Sequence, residues 1–457
     1  MIVPKIEKLV GIEVYATRSS SIGGIIRGSV EDFVVEEVLV DGSKAAVNQS
    51  VTHQVLGSSP VKDRYLLCVL IKRDWDTLQA LKAVAEQLGI STRQIQIAGM
   101  KDAKAVTAQH ITVEGVTAEE IQKVRIKDIK IRPVGYFRSN LSPYYLLGNS
   151  FNIMIKALSH KKSTIKKRIL KTIEELEEVG GVPNFFGHQR FGTTRPITHL
   201  VGKALVRGSF KKAAMLFLAK PSRYEHPESR QAREELRATQ DFKKALKTFP
   251  KQLRYERLML KHLAEKSDDF IGAFRRLPIK LRVLFTQAYQ SYLFNKFLSR
   301  RIASGLPLNR AKVGDYVVNV ERSGLPMLAM HKIANVETLA EINRAIRAGK
   351  TRLALPLVGI KQHPSKGIQG EIEKQILEEE GISPECFRIK AMPENTTKGE
   401  LRTAITPLNN FSLEISYDST NLSKYKAKVS FTLYRGSYAT IVLRELMKPR
   451  NPITAGF

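Results

Sequence analysis

Along the middle of this chain apolar residues recur at helical spacing, while at both ends they fall into short strand-like runs. That switch limits the possible folds more than any single residue does. Before residue 157, Glu31–Val38 alternates, Arg64–Ile71 reads as a buried strand, and His110–Val113 and Gly148–Ile155 add two more. Thr77–Leu88 interrupts them with Leu78, Leu81, Val84, Ala85 and Leu88 at helical spacing and Gly89 as a stop signal. From Lys161 the period changes. Ile165, Ile169, Ile173 and Leu176 form one stripe ending at Gly180-Gly181, a second apolar-faced helix is expected from Leu281 to Ile302, and Leu357–Gly370 reads as a surface loop. After Arg402 strands return at Phe411–Tyr417 and Val429–Leu433, followed by a helix from Tyr438. The expected class is α+β. Residues 1–160 and 401–457 would share one mixed, mostly antiparallel sheet, and residues 161–400 would form an inserted, mainly helical α+β domain.

Charge narrows the partners. Lys and Arg number 74 against 44 Asp and Glu, a formal net charge of +30 on a chain with 43% hydrophobic residues. That apolar content supports a packed core, so the excess charge reads as the footprint of a polyanion binder rather than of a disordered tail. Cys68 and Cys386 lie outside any CxxC spacing, which argues against a disulfide framework or a thiolate zinc site and for a reducing cytosol. Met1–Ser21 lacks a signal-peptide pattern, and the apolar run Leu66–Ile71 is too short to span a bilayer. A cytoplasmic protein without membrane contact, working as a monomer, is expected.

Several chemistries lose support. No GxxxxGK[ST] loop, strand–GxGxxG–helix unit, HExxH pair or GxSxG elbow occurs, so neither metal nor nucleotide cofactor is expected. What stands out is Gly99–Gln109, which places Asp102 in a small-residue turn between Lys101 and a Thr/Gln-containing segment. A short carboxylate in a positive field is a candidate nucleophile toward the nucleic acid that the field gathers. Asn184–Gly192 is the densest polar-aromatic cluster. Asn184, His188, Gln189 and Arg190 suit an RNA-handling loop, but Phe185, Phe186 and Phe191 suit equally a plug at a domain junction. Phe33, Phe151 and Phe431 sit on separate expected strands. Core packing is the default for each, and a base-stacking role needs convergence on Asp102.

Five separated segments, taken together, resemble the TruD family of tRNA pseudouridine synthases. They are Arg27 with Glu31–Glu36, Gly99–Gln109, Gly148–Phe151, Asn184–Gly192, and Phe431 with Gly436–Thr440 and Leu443–Glu445, in family order over nearly the whole chain. The resemblance implies a catalytic domain of pseudouridine synthase type in residues 1–160 and 401–457, with the family's inserted TRUD domain in 161–400. It implies isomerisation of a tRNA uridine, at position 13 of the D arm, without cofactor or metal. Asp102 aligns with the family's nucleophile. Phe33 and Asn149 align with residues touching the flipped uridine, Phe151 and Phe431 with its aromatic surroundings, and Arg27 with the cation that pairs the nucleophile, Lys101 standing beside it. Arg27 stands where the family usually has lysine, and Val30 and Tyr434 replace prolines. The competing readings are a silent RNA-binding protein on the same scaffold and a glycosylase releasing free uracil.

Overall fold

In a computed structural model describing residues 2–48, 55–418 and 421–457, strands from both ends of the chain pair into one sheet. The first part supplies β1 (Phe33–Leu39), β2 (Tyr65–Arg73), β3 (Ile95–Ile97), β4 (Val106–Glu114), β5 (Ile129–Phe137) and β6 (Leu146–Leu158). The middle supplies β7 (Val182–Pro183), β8 (Tyr316–Val320), β9 (Pro326–Ile333), β10 (Thr351–Leu357), β11 (Glu400–Thr403) and β12 (Ile405–Thr406), and the end β13 (Asn409–Asp418) and β14 (Asn421–Tyr434). Among the described residues the main sheet has eight strands in the order β13-β14-β6-β1-β4-β2-β5, with β3 added to β4. Only the β1–β4 pair is parallel. The class is therefore α+β with a mixed, mostly antiparallel sheet.

Burial explains why β2 reads as a continuous apolar run. Its even positions Leu66, Cys68 and Leu70 pack on the helix Thr77–Leu88 through Ala80, Leu81, Val84 and Ala85, while Leu67 and Val69 are buried on the opposite face. That helix starts where the Asp76 side chain accepts from the Leu78 and Gln79 amides, and it stops at Gly89, whose φ of 67° suits a residue without Cβ.

The middle of the chain is built on the 25-residue helix Ile279–Ala303, buried on several sides through Phe285, Tyr289, Phe294 and Phe297. Its core is continuous with the β1–β6–β14 face of the main sheet, joined by the helices Lys162–Glu178 and Ala439–Met447. The segment is mainly helical, and its strands form a two-stranded pair, β7 with β12, and a four-stranded sheet, β11-β10-β8-β9. Its edge strand β9 is largely exposed and lacks the apolar alternation that marks a strand.

The Leu443-Arg444-Glu445 motif is structural. Arg444 is fully buried, bonding Glu7 at 2.7 Å and Glu445 at 2.8 Å and lying 3.9 Å above the Tyr15 ring, so it ties the amino-terminal segment to the last helix. Burial of the guanidinium opposes its charge, and the two carboxylates more than restore it. No described helix is long and apolar enough to cross a membrane.

Candidate active site

Strand parity gathers the site. Val35 lies opposite Phe151, and Glu37 opposite Asn149, across the β1–β6 pair; Phe431 lies opposite Phe151 across β6–β14. Directly opposed residues share a face, so Phe33, Val35, Glu37, Asn149, Phe151 and Phe431 all project to one side of the sheet. Phe33 and Phe151 meet edge to face at 6.4 Å, and Phe151 meets Phe431 at 5.6 Å. Phe33 and Phe151 line a cavity of about 250 Å³, room for one nucleoside, together with Arg27, Asp102, Asn149 and Gln189. Gly436–Thr440, the turn into the last helix, closes another wall.

Asp102 sits on the loop between β3 and β4 at the rim of this cavity, its side chain 45% exposed. The loop is fixed from below. Gln109 donates to Gly99 O at 3.1 Å, Thr77 Oγ1 exchanges 3.2 Å bonds with both Lys101 backbone groups, and Lys72 Nζ donates to Asp102 O and Trp75 O at 2.7 Å each. Burial pulls the Lys72 ammonium down to about 8, against the attraction of Asp102 and Asp76. Arg27 reaches the carboxylate with one nitrogen, Nη2 to Oδ2 at 3.4 Å, while Nη1 donates to Gly456 O and the guanidinium lies 4.2 Å over the Phe33 ring. Burial lowers its pKa and Asp102 opposes that shift. Asn149 Oδ1 is buried with no hydrogen-bond partner in the protein. A buried acceptor left open in a cavity wall is costly unless a ligand fills it.

Four sequence expectations meet a different geometry. Lys101 turns away from Asp102 and bonds Glu37 at 2.6 Å, both side chains almost fully buried, because the inward parity of β1 places Glu37 beneath the loop. Burial would raise the Glu37 carboxyl, but bonds from His110 and Lys101 hold it below the usual range. Phe431 is 1% exposed and does not line the cavity; it backs Phe151. Asn184 bonds Thr403 and Arg402 rather than facing the cavity. His188 is buried against the Phe457 ring, with neither ring nitrogen hydrogen-bonded. Within that cluster Phe185, Phe186 and Phe191 are core residues, so the plug reading holds for the aromatics, while Gln189 reaches the cavity and Arg190 a neighbouring one. Sequence reasoning missed Glu37, Lys72 and Thr77. The available signal was a charged residue at an inward strand position, as Glu37 is in β1. No described group of three His, Cys, Asp or Glu side chains could hold a metal ion.

Comparison with known proteins places this geometry among relatives. The family model described as "tRNA pseudouridine synthase D (TruD)" matches residues 9–446. A Methanosarcina mazei protein named "Probable tRNA pseudouridine synthase D" is 40% identical over 453 residues, covering 99% of both chains. One of the same name from Methanopyrus kandleri is 41% identical over 384 residues, 84% of this chain and 85% of its own. The crystal structure of a TruD protein from Methanosarcina mazei superposes with a TM-score of 0.85 at 40% identity, covering 99% of this chain and all of that one.

Proposed function

The chain belongs to the TruD family of tRNA pseudouridine synthases, isomerases acting on tRNA, and we propose that Asp102 is its nucleophile and a D-arm uridine, at position 13, its target. The observation that carries the site is the convergence of a rim carboxylate, a cation on it, an open amide acceptor and two aromatic rings around one nucleoside-sized cavity. The uridine is swung out of the RNA into that cavity. Asn149 Oδ1 accepts from the uracil N3–H, and Phe151 with Phe33 keeps the base from leaving once its bond to the sugar is cut. Arg27 aims Asp102.

Two routes are open to a carboxylate. In one, an Asp102 oxygen attacks C1′, and the C1′–N1 electron pair departs with uracil. The base turns, C5 attacks C1′, the carboxylate leaves, and the C5 proton is lost while N1 gains one. In the other, Asp102 takes the C2′ proton, the C1′–N1 bond breaks to a glycal, C5 bonds C1′ as the proton returns to C2′, and the C5 proton is then lost while N1 gains one. Deuterium at C2′ slows only the second. Residues 1–160 and 401–457 form the catalytic domain in this reading and 161–400 the inserted TRUD domain. The pairing of β14 with β6 supports joining the two ends, although β11 (Glu400–Thr403) pairs with β10 in the inserted sheet. The working form we propose is a cytoplasmic monomer, which light scattering of the free protein and its tRNA complex tests.

Asp102→Asn, incubated with tRNA transcripts and scored for pseudouridine by mass, is expected to lose turnover while still binding RNA. Retained turnover with unchanged binding removes Asp102 from the role. A wild-type transcript carrying cytidine at position 13 is expected to yield no product. Tight, salt-sensitive binding without any pseudouridine would mark a silent RNA-binding scaffold.

A further inference from the structure

We propose that the cavity next to the catalytic one, framed by Arg190 and Arg402, holds a backbone phosphate of the RNA strand one step from the target uridine. The proposal rests on the tRNA-modifying role above and adds a subsite to it. The cavity has about 560 Å³ and lies between the helix Ile279–Ala303, strand β11 and the segment Thr396–Gly399. It adjoins the catalytic cavity through two shared walls. Gln189 lines one cavity and Arg190 the next, and Arg402 Nη2 donates at 2.8 Å to the carbonyl of Gly436, which lines the first.

Charge balance is the argument. Arg233, Arg301 and Arg444, the large buried arginines of this fold, each meet a carboxylate at 2.7 to 2.8 Å. Arg190 and Arg402 do not. Arg190 Nε donates to Ser291 Oγ and Nη2 to Gln287 Oε1, each at 3.2 Å. Arg402 bonds Asn184 O at 2.8 Å and Asn184 Oδ1 at 2.7 Å, besides Gly436 O. Every acceptor is neutral. Both guanidinium groups lie over one ring, Phe186, at 4.0 Å for Arg402 and 5.8 Å for Arg190. Burial, opposed by Tyr438 and aided by like-charge repulsion from Arg190, pulls the Arg402 pKa down to about 10. Two partly desolvated cations that repel each other without an anion are costly, and a phosphate satisfies both through charge-assisted hydrogen bonds, from Arg402 Nη1 and from Arg190.

Two further features of the cavity agree. Lys398 adds a third cation to its lining. Thr397 Oγ1 is a buried hydroxyl without a partner, able to donate to a phosphate oxygen. Glu400 also lines the cavity, but it makes no ion pair with either arginine. Burial raises its carboxyl with no cation opposing, so it is not their counterion.

The test is binding rather than turnover, so it reads out even if Asp102 has another role. The affinity of labelled tRNA is measured against KCl concentration for the wild type, Arg190→Gln and Arg190→Lys. Arg190→Gln is expected to bind several-fold more weakly at low salt and to flatten the log–log slope by about 0.7–0.9, the loss of one phosphate contact. Arg190→Lys keeps the slope and loses the fork's share of affinity. In a D-arm strand carrying single neutral methylphosphonates, one substitution beside the target uridine should weaken the wild type yet leave Arg190→Gln unaffected. An unchanged slope in Arg190→Gln, or methylphosphonate penalties identical in wild type and Arg190→Gln at every position, would overturn the subsite.

Discussion

At Asp102 the decisive quantity is how few groups touch the carboxylate. Arg27 uses one nitrogen at 3.4 Å, so its planar fork is not engaged in a two-pronged bond. A lysine can supply the same single contact, which makes the family's usual residue interchangeable here. Arg27→Lys is expected to keep single-turnover rates within about tenfold, whereas Arg27→Met loses on the order of 10²-fold, the scale of one electrostatic partner at a reacting centre. Lys72 acts from beneath, through the Asp102 carbonyl. It carries its proton below about pH 8 and loses it above, so the cation under the loop disappears as pH rises through 8. The rate of isomerisation should then fall along a limb centred near pH 8. Lys72→Met should be slower at pH 7 and lack that limb, with tRNA affinity unchanged at both pH values. A limb of equal size in both proteins would assign the titration elsewhere.

Among the elements, the pleat carries the site and the hydrogen-bond register aligns it. Gly148 lies opposite Tyr434 on β14, and a Cβ there would sit 2.0 Å from Leu433 O. Gly148→Ala must therefore push β14 from β6 and shift Asn149, its neighbour on the cavity wall. The expected cost is about 1–3 kcal/mol in denaturant unfolding, with a fall in turnover. Ile153→Val on the same strand should cost about 1 kcal/mol and leave turnover intact. Strong local patterns made much of this frame legible. The helix Thr77–Leu88 has the bounds the sequence predicts, and β6 and the long helix from Ile279 lie within a few residues of theirs, whereas β14 starts at Asn421, well before the expected Val429. β9 was not legible, because an exposed edge strand has no buried face to impose alternation. The site divides the same way. Asp102, Arg27, Phe33, Asn149 and Phe151 were named from sequence and share a cavity. The Lys101–Glu37 bond spans 64 residues, and no spacing rule encodes such a partner. Phe431 looked equivalent to Phe151, and only the packing of one ring behind the other separates them.

For the molecule as a whole, acid is the vulnerable direction, and two histidines in the shared core are a main reason. Burial, with Arg444 adding repulsion, pushes the His188 imidazole down to about 4; burial foremost pushes His199 to about 3. Both are neutral in the folded protein at pH 7, and an unfolded histidine titrates near 6.5. Between the folded and unfolded values the unfolded chain binds more protons, so stability is full above pH 6.5 and declines as pH falls toward 4. By pH 5.5 each histidine should have removed about 1 kcal/mol, and the protein, already charged to +30, gains self-repulsion as well. From pH 6.5 to 5.5 ordinary carboxylates hold their charge, whereas buried Glu373, its carboxyl pushed up to about 7, gains a proton in the folded protein and offsets part of the loss. Neither ring nitrogen of His188 is hydrogen-bonded, so an apolar residue of similar volume leaves no partner stranded. His188→Leu should match or exceed wild-type stability at pH 7.5, and its urea midpoint should fall less steeply than that of the wild type from pH 6.5 to 5.5. Parallel slopes for the two proteins would show that His188 gains its proton without unfolding and that the acid sensitivity originates at other groups.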